Sequence, residues 1–372
     1  MIERVRLMAV ARKEVRQLRR DPRSLLLAFA LPLVLLVLFG YAITWDLSDI
    51  PTAVVDQDRT PRSRELIDAF RATGLFTVTA RLDDAGSVGA LFEHRSARLA
   101  LVIPPGFAAD LGAGRPVAVQ ALVDGSDANT ATLALAYAQG IVRTYGERIA
   151  LRGERVRLPV RTHTRVWFNE DLRSRNMIVP GLVAVIMMII AAMLTSLTIA
   201  REWERGTMEQ LAATPVTRLE VVLGKLLPYL AIGLIDLAAC SVLGVLLFGV
   251  PFRGSPLLLL ALSFFFLVGS LGLGLFISAA ARSQLLATQM AMLATFLPAY
   301  LLSGFMFSID VMPAPLRFIT YVIPARYFLV VTRGIFLKGV GLDVLYKQGL
   351  PMVAYAAVGL LLAVHAFRKE LR

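Results

Sequence analysis

Cysteine is almost missing from this chain: Cys240 stands alone among 372 residues. No disulfide can form within the chain, and paired zinc-type ligands are excluded with it. Histidine is nearly as scarce, and His94, His163 and His365 stand far apart. His365, near a helix end, reads as an interface residue rather than a catalyst. No G-x-S-x-G or H-E-x-x-H occurs. Gly224-Lys225 looks like the end of a phosphate-binding loop. It lacks the upstream glycine of G-x-x-x-x-G-K-[ST], and Leu226 stands where Ser or Thr belongs. Charge is sparse as well, at 18% of residues. An enzyme working alone has little here to work with.

What is present is apolar. Hydrophobic residues make up 57% of the chain, above the roughly 45–50% of soluble domains, which points to a membrane protein. The net charge is nevertheless +12. A basic chain can serve nucleic acid, but the densest basic clusters here flank apolar runs. Attraction to anionic lipid on the cytoplasmic side accounts for them better.

One stretch organises the rest. From Met177 to Ala200 the chain is uncharged and apolar, and about 20 such residues cross a bilayer as a helix. Arg201, Glu202, Glu204, Arg205 and Glu209 follow at once, then Thr214-Pro215, then another apolar run. The plain reading is an ordinary cytoplasmic loop. The sharper one is a short helix, 201–214, that docks another protein and carries its movement into the bilayer.

In chain order, residues 1–23 read as a basic amphipathic interfacial helix, with Ile2, Val5, Met8, Val15 and Leu18 on one stripe. Asp21-Pro22 ends it. Residues 24–45 form a first crossing, and the eight Lys and Arg residues before it hold the N-terminus in the cytoplasm. Residues 46–173 change character. Short strands are expected at Thr52–Asp56, Thr77–Ala80, Leu99–Ile103 and Val117–Val123, with helices at Pro61–Ala72 and Ala128–Arg152. Strands alternating with helices imply an α/β domain, placed outside the cytoplasmic membrane because the first crossing leads outward. Asp124-Gly125-Ser126-Asp127 reads as a turn capping the next helix in preference to a cation site. Arg155–Phe168 alternates like a final strand.

Further crossings follow at 177–200, 226–248, 255–281, 284–303 and 350–367. Between them, 304–347 is broken by Pro313, Pro315 and Pro324 into pieces too short to span, read as outer re-entrant or interfacial helices. The cations of that segment conflict with the positive-inside tendency, unless their arginines snorkel. Gly269, Ser270, Gly272 and Gly274 allow close helix approach. Asp236 lies at mid-membrane depth, where an acid contacts substrate or protons, or stays neutral against a neighbouring helix. The expected fold is therefore membrane α-helical, with six transmembrane helices, an inserted extracytoplasmic α/β domain (46–173) and both termini cytoplasmic.

Four segments carry a family likeness: ARKEVRQLRRDPRSLLLAFALP; AREWERGTMEQLAATPV; SLGLGLFISAAARSQ; and LLSGFMFSIDVMP followed by IPARYFLVVTRGIFLKGVG. Each is weak alone, but their order and spacing together are specific. The chain resembles the permease subunit of type-2 ABC exporters, in the subgroup with a large domain between the first two membrane helices.

The resemblance implies a bacterial inner-membrane location, pairing with a second permease chain as homodimer or heterodimer, and separate cytoplasmic ATP-binding subunits beneath. It leaves room for a periplasmic adaptor and gives no role to nucleic acid. ATP and Mg would be bound by the partner, and this chain would hold no cofactor. In the family the loop after the second membrane helix is a coupling helix. Carried over, that is Glu202, Arg205, Gly206, Thr207, Glu209, Gln210 and Leu211. Substrate, a hydrophobic or amphipathic drug-like compound or a lipid-linked or polymeric cargo, would leave through an intersubunit cavity lined by the second and fifth crossings. Met187, Met188 and Phe296 could line it, with Asp236 a further candidate; packed bundle core is the alternative for these residues. Two rivals are a non-transporting scaffold or receptor whose outer domain binds a partner, and a proton-driven transporter using Asp236.

Overall fold

The computed structural model describes residues 3–43, 49–150, 167–169 and 173–367. They divide into two compact units, one of residues Met1–Thr44 and Arg165–Arg372, the other of Trp45–Thr164.

The smaller unit is an α/β sandwich. Strands β1 (Ile50–Asp56), β2 (Phe76–Leu82), β3 (Leu99–Ile103) and β4 (Gln120–Val123) form one sheet in the order β2-β1-β3-β4. β1 runs parallel to β2 and β3, and β4 antiparallel to β3. Helix α3 (Pro61–Arg71) links β1 to β2, and α4 (Val88–Glu93) lies between β2 and β3. Helices α5 (Phe107–Gly112) and α6 (Ala128–Ala150) complete the unit.

Side-chain alternation explains the two faces. Ile50, Val54, Leu99, Leu101 and Ile103 pack with Phe70 and Tyr145. Ala53, Val55, Ala100 and Val102 pack with Val88 on the other. Pro61 starts α3 behind a Thr60/Ser63 capping box. Four strands and two helices lie within a few residues of expectation, while α4 and α5 were not expected. Asp124 accepts from the Ser126 amide at 3.0 Å, and Asp127 from the Thr130 amide at 3.3 Å, the turn-and-cap arrangement. These bonds hold the exposed Asp124 carboxyl below the usual range. The strand expected over 155–168 falls outside the described residues except at its end.

The larger unit is helical: α1 (Arg4–Arg19), α2 (Pro22–Ala42), α7 (Ser174–Glu204), α8 (Met208–Ala212), α9 (Arg218–Phe248), α10 (Pro256–Ala281), α11 (Gln284–Leu301), α12 (Ala314–Thr320), α13 (Pro324–Arg333) and α14 (Leu342–Ala366). Four of these, α7, α9, α10 and α14, are long and apolar enough to cross a membrane. α12 and the segment Pro324–Lys338 together make a fifth such stretch, bent by 75°. That bend falls where the prolines of 304–347 place a break. Helices α2 and α11, of 21 and 18 residues, stand where the first and fifth crossings were expected but are not among these membrane-length helices. Arg282 closes α10 in the left-handed conformation, and α11 starts two residues on.

α7 is the centre. Of its most apolar stretch 89% is buried, against 28% for α14, as expected of a helix apolar on all sides. Polar ties lock it to α10: the Thr195 hydroxyl donates to the Leu271 carbonyl at 2.9 Å, and Ser278 Oγ accepts from the Ile199 and Ala200 amides. Small residues set how near the helices come. A Cβ on Gly272 would lie 2.7 Å from the Gly359 carbonyl carbon, and one on Gly359 2.6 Å from the Gly269 oxygen.

Gly272→Ala should therefore lower the melting temperature of the purified chain in detergent, through an overpacking cost of about 1–3 kcal/mol. Gly146→Ala, where a Cβ meets nothing within 4 Å, should leave it unchanged or raise it.

Candidate functional site

The charged turn after α7 is the element to which the sequence points. α7 continues through Glu204, and Gly206 then takes φ +67°, a left-handed conformation that suits glycine. Only Met208–Ala212, five residues, forms α8. The single helix expected over 201–214 is thus two pieces hinged at Gly206. Thr217 opens α9 with a capping box to Glu220, whose Oε2 accepts from the Thr217 amide at 2.8 Å.

The seven residues assigned to coupling do not share one face. Arg205, Gly206, Glu209 and Gln210 are exposed, and Thr207 and Leu211 half-buried. Met208 and Val216 anchor the turn inward. Glu202 is the exception, 3% exposed. Its side chain faces two lysines inside the protein. One carboxylate oxygen, Oε1, meets Lys13 Nζ and, at 3.0 Å, Lys225 Nζ. Lys225, 1% exposed, also meets Glu14 at 2.8 Å. Glu14, Lys13, Glu202 and Lys225 form a neutral quartet joining α1, α7 and α9.

The quartet fixes which side of α1 meets protein. Val5 is 81% exposed, and Met8 and Val15 are exposed too, so these three of the expected apolar stripe face away from the protein; Ile2 lies outside the described residues. Val10, Ala11, Glu14 and Leu18, the last of them also in that stripe, face inward. The hollow at Gly224 decides this: a Cβ there would lie 2.7 Å from Val10 Cβ. The Gly224-Lys225 pair that fails as a phosphate loop thus serves packing, one residue admitting Val10 and the next taking Glu14. The start of α1 is fastened as well. The Glu3 amide donates to Glu220 at 2.7 Å, and Arg6 to the Pro215 carbonyl at 2.9 Å.

The end of α7 holds two further elements. Arg201 pairs with Asp21 at 3.0 Å, at the α1–α2 junction, and donates to Gln284 at 3.3 Å. Glu204 accepts from the Gln284 amide at 2.7 Å, at the start of α11. Arg282 lies 4.7 Å over the Trp203 ring. Within one turn, α7 therefore grips α1, α2, α9 and α11. Lys13, Glu14, Asp21, Lys225 and Gln284 were not foreseen in these roles. The only local hints were an acid in a basic helix and a lysine in an apolar run.

Three of the four candidate substrate-path residues are buried in the bundle. Met187 and Met188 are each 2% exposed, packed in the bundle. Asp236 is 2% exposed, with Oδ2 bonded to nothing among the described residues. Phe296, on α11, is half-buried and stacks on Tyr300 at 5.6 Å.

With this geometry established, comparison with known proteins gives the class. The family described as ABC-2 family transporter protein matches residues 22–365, and the chain belongs to that family. It is 40% identical to the probable multidrug ABC transporter permease YbhS of Escherichia coli K12 over 336 residues, covering 90% of this chain and 89% of that protein. It is 30% identical to the probable multidrug ABC transporter permease YbhR of the same organism, over 98% of this chain and 99% of that one. The inner membrane transport permease YhhJ is 29% identical over 86% of each. The chain is an ABC transporter permease with several membrane-length helices.

Lys225→Met should destabilise the purified chain by roughly 3–5 kcal/mol, because it strands Glu14 in a buried site. Lys13→Met, whose side chain is 47% exposed, should cost far less. Thermal unfolding in detergent compares the two, and equal melting temperatures would remove the quartet from the account.

Proposed function

We propose that this chain is the transmembrane permease subunit of an ATP-driven exporter. It moves small hydrophobic or amphipathic compounds outward across the bacterial cytoplasmic membrane, with a separate ATPase subunit supplying energy. The names of the relatives support a drug-like substrate class. Six crossings, with α2 and α11 as the first and fifth, bring both termini to the cytoplasm and leave the α/β unit and the bent segment 304–347 outside. ATP and Mg belong to the partner, and a second permease chain completes the pathway.

One observation carries the coupling role: α8 presents polar side chains outward while its root, the end of α7, holds four other helices by ion pairs and hydrogen bonds. Arg205, Glu209 and Gln210 give a docking partner orientation. Gly206 lets α8 tilt, and Glu202 passes the displacement to α1 and α9 through the lysines. Substrate crosses at an interface between permease chains, lined on this side by α11 with Phe296. Met187, Met188 and Asp236 serve the packed bundle.

In the reconstituted complex, Arg205→Ala with Glu209→Ala should lower substrate-stimulated ATPase by roughly fivefold, as loss of about 1 kcal/mol of docking energy implies. The melting temperature of the permease should not move, since both side chains are exposed. Copurification of a stoichiometric ATP-binding protein separates this reading from a scaffold. Unchanged stimulation, or transport without any such partner, would sink it.

A further inference from the structure

Two cavities adjoin beside the end of α7. The first is an open cleft of about 930 Å³ bordered by Lys13, Arg16 and Arg20 of the α1 region and by Arg201 and Arg205. Against these five cations it contains one carboxylate, Asp21. The charges are not equally compensated. Lys13 is taken by Glu202 and Arg201 by Asp21. Arg16, Arg20 and Arg205 are exposed and make no ion pair among the described residues. Three uncompensated guanidinium groups thus border one hollow.

The second cavity is a narrow seam of about 30 Å³ that shares Gln17, Leu197 and Arg201 with the cleft. From there it runs between α2 and α7 along Leu31 and Met193, both half-buried. Cationic and apolar surfaces therefore follow one another along one line, at the level where the apolar run of α7 gives way to charge. A molecule matching both has an anionic head and a hydrocarbon tail. The seam is too shallow to enclose a tail and can only guide one along the outer surface of the bundle. That favours a resident of the bilayer over an enclosed cargo.

We propose that this cleft is a binding site for an anionic phospholipid, its phosphate held among Arg16, Arg20 and Arg205 and one acyl chain laid along Leu197, Met193 and Leu31. Guanidinium groups suit this role, being always charged and able to hold phosphate oxygens in pairs. The inner-leaflet surface supplies such lipids and attracts basic segments near it. The site rests on geometry and does not depend on the transport reading.

The test uses the full chain in a mild non-ionic detergent, stripped of lipid and titrated with phosphatidylglycerol, phosphatidylcholine or glycerol 3-phosphate, with bound lipid read by native mass spectrometry. Phosphatidylglycerol should be retained roughly tenfold better than phosphatidylcholine, whose phosphate is the same but whose choline cation the arginines repel. The triple variant Arg16→Gln, Arg20→Gln, Arg205→Gln should lose that preference, and the corresponding lysine triple should keep most of it. Glycerol 3-phosphate, a head without a tail, should not displace the lipid at equal concentration. Equal retention of both lipids, an unchanged preference in the glutamine triple, displacement by the head alone or no bound lipid would each overturn the proposal. The glutamine triple should melt with the parent chain in lipid-free detergent. Should it melt lower, the single variant Arg20→Gln carries the same comparison and must lose part of the preference.

Discussion

A buried ion quartet holds this permease together where movement would enter it. Lys225 lies 1% exposed between Glu14 and Glu202. Taking such charges out of water is costly, and attraction repays the cost only while Lys225 faces both carboxylates. The arrangement is therefore closer to all-or-none than a row of surface pairs. Its members come from α1, α7 and α9, so those three helices cannot shift independently at this level without separating charges in a poorly solvated place. The central position of α7 follows from the same economy. It is apolar on all sides across the membrane and densely charged within a turn of its end.

Much of the architecture was legible, for reasons that name themselves. Leu99–Ile103 is β-branched and aliphatic and emerges as a strand with unchanged bounds. Long apolar runs became long helices, and Arg282-Ser283 separates two of them as its brevity suggests. The short helices α4 and α5, six residues each, hold too few turns for a period to show. The split of the coupling segment turned on Gly206. A glycine in a helical pattern is compatible with continuity, and only the positive φ reveals that the chain breaks there.

The site was legible only as a location. That a charged turn follows α7 could be read from charge abutting an apolar run. Which charges point outward could not. Glu202 and Glu209 look alike in sequence, yet one is sealed against lysines and the other faces water. The difference lies in Lys225 meeting Glu14 across 211 positions, a separation that no local pattern spans. The apolar residues of α1 show the same limit. Periodicity identifies two apolar sides of a helix, but the hollow at Gly224 chooses which one meets protein.

The contrast between sealed and open charges has a consequence for the assembly in different solvents. Ions in bulk water screen exposed charges more than about 10 Å apart at moderate salt and nearer ones as salt rises, whereas buried pairs are screened much less. A grip made through Arg205 and Glu209 loosens as ionic strength rises, while the joint at Lys225 stays shut. If the proposed coupling role holds, concentrated salt would release an ATPase subunit docked there and leave the permease's own joint intact, so the two could be parted and rejoined without unfolding either.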